Sequence, residues 1–225
     1  MRTRLFMSII LALLLISTVR AGDPERVIYD FGHVGIDFVV YHTYPYVNQS
    51  DTDIRVSKVD VQCDCTRVAL VDSTAGPGDT LFFRTSFSTK DYFGPTARSF
   101  VVSLEGNDGR DIEFQHRATV GQWYYNLKPD PISLFFLPSH RSKKITIPNT
   151  EHPGISASLF EQADDYYEIK IVKREAAKGD EVSLEVIPRS DLGPGTYLSS
   201  FTMAVSVEGG SKPALLTVPL KIVKY

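Results

Sequence analysis

Along most of this chain apolar and polar residues alternate one for one. Ile54-Arg55-Val56-Ser57-Lys58-Val59-Asp60-Val61 and Glu181-Val182-Ser183-Leu184-Glu185-Val186 are clear runs of this kind. Successive side chains of an extended strand point to opposite faces, so such a run buries one face and wets the other. After residue 22 no segment carries an apolar stripe at helical spacing over three turns. The alternation predicts strands at 27–31, 36–47, 54–61, 66–71, 79–87, 98–105 and 111–120. A second set follows at 131–137, 142–148, 154–161, 167–173, 180–187, 196–207 and 213–223. Turn formers divide them, among them Gly76-Pro77-Gly78-Asp79, the tight-hairpin signal Asn107-Asp108-Gly109, Lys178-Gly179-Asp180 and Gly193-Pro194-Gly195. Seven short strands per hundred residues, with a turn about every ten, predict an immunoglobulin-like β-sandwich, an up-and-down barrel being the alternative.

The two sets are in register at a fixed offset of 101 residues. Asn48 falls on Asn149, Ile54 on Ile155, Asp64 on Asp165, Gly78-Asp79 on Gly179-Asp180, and Ser99-Phe100 on Ser200-Phe201. A constant register over so many identities reads as two copies of one domain. The expected organisation is a signal peptide at 1–21, a first sandwich at 22–121, an aromatic-rich linker at 122–130 and a second sandwich at 131–225. About a hundred residues per copy suits a small sandwich with its own core. Trp123, Tyr124 and Tyr125 in the linker predict a joint packed between the domains, and hence a semi-rigid pair.

The leader is read from Arg2 and Arg4, the apolar run Leu5 to Val19 and the small-x-small site Val19-Arg20-Ala21. Its apolar run is shorter than the roughly 20 residues that span a bilayer, so export of a soluble chain is expected, without a lipid anchor or stable membrane insertion. Loss of Arg2, Arg4 and Arg20 leaves 21 basic against 27 acidic residues, a net charge of −6. A mature chain of that sign argues against a nucleic-acid partner held by a broad basic face. Two cysteines are too few to staple a small scaffold, so apolar burial must carry the stability.

The first copy carries a further pattern. Tyr29-Asp30-Phe31-Gly32-His33-Val34 precedes Val47-Asn48, then Cys63-Asp64-Cys65-Thr66, Pro77-Gly78-Asp79, Phe87-Ser88-Thr89-Lys90 and Gly94. Over about 28–120 this resembles the bacterial family catalogued as domain of unknown function 1573. The resemblance implies an exported immunoglobulin-like domain similar in fold to docking and structural sandwiches, and it brings no established activity. The second copy departs from the pattern, with Asp164 and Tyr166 where Cys63 and Cys65 would stand.

Cys63 and Cys65 are the main candidates for chemistry. In a straight strand their Cα atoms would lie about 6.6 Å apart, at the upper limit for a disulfide, and a turn at Asp64 would bring them within range. A small-loop disulfide is the default in an oxidising compartment. The alternatives are a soft metal ion, with His33, His42 or His116 completing the site, and thiol–disulfide exchange. His42 is expected on a wet face or in a hydrogen bond, and His140 in the solvated basic run Ser139 to Lys144. His152 has no ligand-like spacing, and Asp164-Asp165 reads as a solvated acid pair before a calcium site. Asn48-Gln49-Ser50 is formally a glycan acceptor, but Asn149 recurs without the Ser or Thr, so a turn role covers both. Signatures of hydrolases, metalloproteases and nucleotide-binding loops are absent from the sequence, and no cofactor is implied.

These observations lead to one expectation: a non-catalytic binding or structural module, periplasmic or secreted. It would dock an envelope or extracellular protein through a sandwich edge strand or a loop end, with 36–47 and 98–105 as the expected edges. The alternative is a periplasmic metal-binding or thiol-redox protein centred on Cys63 and Cys65.

Overall fold

A computed structural model describes residues 25–106 and 111–225 of the 225-residue chain. The leader at 1–21 and the turn Asn107-Asp108-Gly109 lie outside the described residues. The first half forms β1 (Glu25–Val34), β2 (Val39–Val47), β3 (Ile54–Val61), β4 (Thr66–Leu70), β5 (Thr74–Ala75), β6 (Thr80–Ser88), β7 (Gly94–Glu105) and β8 (Asp111–Val120). After a 3-10 turn at Tyr124–Asn126 come β9 (Leu134–Phe136), β10 (Lys143–Asn149), β11 (Gly154–Gln162), β12 (Tyr167–Lys173), β13 (Glu175–Ala177), β14 (Asp180–Pro188), β15 (Gly195–Val207) and β16 (Ala214–Lys224). The long strands lie where alternation puts them. β5 and β13, two and three residues long, are too short for a period to register.

Each half is a two-layer, immunoglobulin-like β-sandwich. In the first, β1-β8-β7-β3-β5 faces β2-β6-β4, and in the second β9-β16-β15-β11-β13 faces β10-β14-β12. Polar turns repeat at the offset read from sequence. Asn48 donates from Nδ2 to the carbonyls of Thr52 (2.9 Å) and Ala75 (3.0 Å), and Asn149 donates to those of His152 (3.0 Å) and Ala176 (3.1 Å). Gly78 and Gly179 return N–H bonds to the Asn48 and Asn149 carbonyls at 2.9 and 2.7 Å. Asn48 is buried and committed to its turn, which leaves its amide unsuited to a glycan.

The larger layers are continuous with each other. β1 lies between β8 and β16, His33 pairing with Leu216, so ten strands form one sheet through both halves. On that same edge of β16, Leu220 to Ile222 pair with β9. Gly32 makes the crossing possible. Its φ is +64°, and a Cβ there would lie 2.2 Å from the Leu215 carbonyl oxygen. Trp123 and Tyr124 of the joint pack on the second core, whereas Tyr125 is exposed.

The first core is rich in aromatic rings. Phe100 and Phe114 stack with centroids 5.0 Å apart, and Phe83 and Tyr44 stand 5.1 and 5.0 Å from Phe114. Each such ring contributes about 1.5–3 kcal/mol through burial. His116 sits among them, 1% exposed, with Nδ1 2.9 Å from the Tyr44 hydroxyl. That hydroxyl donates to the Gln115 carbonyl, so His116 Nδ1–H donates to it in turn and Nε2 is the bare nitrogen. Nε2 meets no partner among the described residues. Burial, helped by the nearby His42, lowers the His116 pKa from 6.5 to about 3.

Between those two values the unfolded chain binds a proton that the folded chain refuses. Stability from this group is complete above pH 6.5 and is lost as the pH falls towards 3, by up to about 1.4 kcal/mol per unit. His116→Gln should remove that slope while keeping a donor for Tyr44. Urea unfolding at pH 7 and pH 4.5 reads the difference, and equal slopes in both proteins would refute the assignment.

Candidate functional site

A β-sandwich presents its loop ends and the unpaired backbone of its sheet edges. Most edges here are closed. At β2, the expected docking edge of 36–47, Ser200 Oγ accepts from the Tyr41 N–H and donates to the Tyr41 carbonyl, both at 2.9 Å. Pro45 on the same strand has no N–H to offer. The other expected edge, 98–105, is not an edge at all: β7 runs between β8 and β3, paired on both sides. Alternation names the faces of a strand but not its neighbours: 36–47 is an edge, but one covered at Tyr41, and 98–105 is interior.

β10 is bridged by Asp130, which exchanges two backbone bonds with Thr146, and it carries Pro148 and two lysines. β12 has a bulge between Ile171 and Lys173, with Lys170 and Lys173 on the strand. β3 and β11, beyond the short β5 and β13, have bulges at Val56/Lys58 and Leu159/Glu161. Bulges, prolines and lysines are the devices that discourage edge pairing.

Among the described residues β4 is the edge strand longer than three residues that carries none of them. Ser88 N–H donates to the Cys65 carbonyl (2.7 Å) and Val71 N–H to that of Phe82 (3.3 Å), which fixes the phase of the ladder against β6. Arg67 and Ala69 therefore turn their backbone groups to β6, and Val68 and Leu70 turn theirs outward. Side chains alternate accordingly. Thr66, Val68 and Leu70 lie on the core face, with Leu70 still 39% exposed, and Arg67 stands exposed on the other. Arg67 makes no salt bridge among the described residues.

The β4 edge begins at the disulfide. Cys63 and Cys65 occupy the turn between β3 and β4, partly exposed, their sulfurs bonded and their Cα atoms 5.2 Å apart. The buried Thr66 places its hydroxyl 3.7 and 3.9 Å from the two sulfurs. A loop of three residues constrains the unfolded chain little, about 1.6 kcal/mol by loop entropy, so this bond is a weak staple. Bonded sulfurs also present no thiolate to a metal ion.

His33, His42 and His116, weighed as ligands, are each hydrogen-bonded to groups other than the two sulfurs. His33 Nδ1 lies 2.8 Å from the Gln122 carbonyl, and His140 Nδ1 accepts from Leu137 N–H at 3.0 Å. His152 meets Tyr125 edge to face. Of its two expected roles His42 takes the hydrogen bond and not the wet face: it is 7% exposed, stacked on Tyr29 at 3.6 Å, with Nδ1 2.5 Å from Glu161 of the second half. The bulge before Glu161 aims that carboxylate across the seam.

Further along the seam the Tyr29 hydroxyl lies 3.0 Å from Thr202, Thr202 lies 2.7 Å from Thr217, and Thr217 donates to the Phe31 carbonyl. Burial raises the Tyr29 pKa far above its usual value, so the hydroxyl remains a donor. Asp164 is not a solvated acid: it receives two 2.9 Å bonds from Arg84, which also donates to the Leu198 carbonyl. Sequence reasoning missed Arg84, Ser200 and Thr217, because an isolated Arg, Ser or Thr in a strand carries no spacing signal.

Residues 24–120 match the model of the family described as Protein of unknown function (DUF1573). That segment belongs to the family. The Cys63-to-Thr66 turn, the β4 edge and Gly32 all lie within the DUF1573 segment. No curated protein matches the chain. Solved structures with some likeness include SSP-19, an MSP-domain protein like family member of Caenorhabditis elegans, at 10% identity and TM-score 0.36, over 43% of this chain and 99% of that one. A protein of unknown function from Porphyromonas gingivalis W83 matches at 10% identity and TM-score 0.33, over 84% and 93%. VesB protease of Vibrio cholerae matches at 10% and 0.35, over 43% of this chain and 30% of VesB, so the chain spans under a third of that protein. At these scores the likenesses decide nothing about this chain. Among the described residues no helix is long and apolar enough to cross a membrane.

Proposed function

We propose that this protein is an exported, non-catalytic binding module of the cell envelope, built from two sandwich domains, that takes up an extended segment of a partner protein on the outer edge of β4. The observation that carries the reading is the exception at β4, among the described residues the one edge strand longer than three residues without bulge, proline or lysine. A strand added there gains main-chain bonds from Val68 and Leu70. Its alternate side chains would cover Leu70 and Val68 on the core face, and an acidic residue on the other face would meet Arg67. The preferred partner segment is thus alternating apolar and polar with a carboxylate. The Cys63–Cys65 bond supports an oxidising location, periplasmic or extracellular.

The outward N–H of Val68 makes the test direct. Val68→Pro removes that donor while leaving the ladder to β6 intact, because proline is tolerated on an edge whose N–H faces solvent. A synthetic peptide of alternating valine and threonine with one glutamate should slow hydrogen exchange at Val68 and Leu70. Val68→Pro should weaken its binding at least tenfold while shifting the melting temperature only slightly. Protection at other strands, or equal binding by the variant, would defeat the reading.

A further inference from the structure

We infer that the Cys63–Cys65 bond is a capture site that forms a mixed disulfide with a cysteine of the docked strand. This rests on the β4 docking proposed above and adds a covalent step to it. Strands in a sheet hold opposed residues with Cα atoms about 4.5–5.5 Å apart, inside the roughly 4.4–6.8 Å span of a disulfide. A strand laid along β4 reaches the turn at Thr66, beside Cys65, so a cysteine at its end falls within bonding range. No other site on the chain offers this: both of its cysteines are in the one bond, and the second half has Asp164, Tyr166 and Tyr167 at the matching positions.

The step balances without an added oxidant. The partner's cysteine, as thiolate, attacks Cys65 Sγ; the Cys63–Cys65 bond breaks, a partner–Cys65 bond forms, and Cys63 leaves as a thiolate. One disulfide replaces another, and the proton released by the partner thiol is available to Cys63. The Thr66 hydroxyl, 3.7 Å from the Cys63 sulfur, is placed to donate to the departing thiolate. Return attack by Cys63 on the mixed bond releases the partner, which makes the capture reversible. Because so short a loop stabilises the fold little, the domain stays folded while the bond is open.

The experiment uses the full chain with its disulfide formed and two probes, reduced glutathione and a valine–threonine strand peptide ending in cysteine. Samples quenched in acid and alkylated are read by mass spectrometry. The peptide is expected to form a Cys65 mixed disulfide at least tenfold faster than glutathione at equal concentration, since docking raises the local thiol concentration. Methylating the peptide's alternate backbone nitrogens should abolish that advantage without altering the protein, and Val68→Pro should do the same. Peptide and glutathione reacting equally, with methylation without effect, would overturn the inference. Protection of Val68 and Leu70 by the peptide without any mixed disulfide would overturn it too, and would leave the docking reading standing. Neither protection nor adduct would remove both.

Discussion

Gly32→Ala should lower stability by about 3 kcal/mol or more and split the unfolding of this protein into two steps. Two costs combine at this position. An L-residue at φ +64° costs about 1–2 kcal/mol over glycine, and the new Cβ would lie 2.2 Å from the Leu215 carbonyl oxygen and 2.4 Å from Leu215 Cβ. Backbone cannot yield as a flexible side chain does, so β1 must move away from β16. The His33–Leu216 pairing and the Thr217 bond to the Phe31 carbonyl would go with it. Gly78→Ala is the control, since Gly78 has φ +81° but nothing within 4 Å of where its Cβ would stand. Calorimetry should show a fall of roughly 6–12 °C and a second transition for Gly32→Ala, against a few degrees for the control. Equal effects would mean that the seam does not depend on the close approach at Gly32.

Arg84→Ala should cost about 2–3 kcal/mol, because it leaves the Asp164 carboxylate, 9% exposed, without its charge partner. The figure is held below that for a fully buried pair, since Arg84 is 29% exposed and water screens part of the attraction. Three contacts disappear together: the bidentate pair, the bond to the Leu198 carbonyl, and the guanidinium over the Tyr41 ring at 4.8 Å. Lys58→Ala provides the contrast, as Lys58 and Asp60 are 64% and 65% exposed and the pair should contribute under about 0.5 kcal/mol. In a double-mutant cycle Arg84→Ala with Asp164→Ala should cost less than the two single changes summed. Additive costs in urea would show that the pair does not act as a unit.

Asp164 stands at the position in the second half that Cys63 holds in the first, and the two residues face different surroundings. The β11–β12 turn of the second half lies against β6 of the first, where a carboxylate meets Arg84. Among the described residues no hydrogen bond or ion pair joins the β3–β4 turn to the second half, and the turn keeps its disulfide at the start of β4. Equivalent positions thus carry different chemistry because one is inside the chain's own interface and the other is outside it.

Much of the fold was legible in the alternation. β3 at 54–61, β8 at 111–120 and β12 at 167–173 have the bounds read from the sequence, since apolar and polar residues alternate along most of each. Asn48 and Asn149 were legible as turn residues, because few side chains can satisfy two carbonyls at a chain reversal. The candidate site was legible only in part. Cys63 and Cys65 were visible as a pair, while the open edge beside them was assigned to 36–47 and 98–105.

What the sequence determined by itself was local: which residues are extended, which of their faces are dry, and where the chain turns. Those properties follow from backbone geometry and side-chain period within a few residues. Which strand lies beside which was decided only in the tertiary structure. The pairing of His33 with Leu216, the reach of Glu161 to His42 and the cover of Tyr41 by Ser200 join residues more than a hundred positions apart. No periodicity spans that distance; close packing selects those neighbours, and the same selection leaves β4 uncovered.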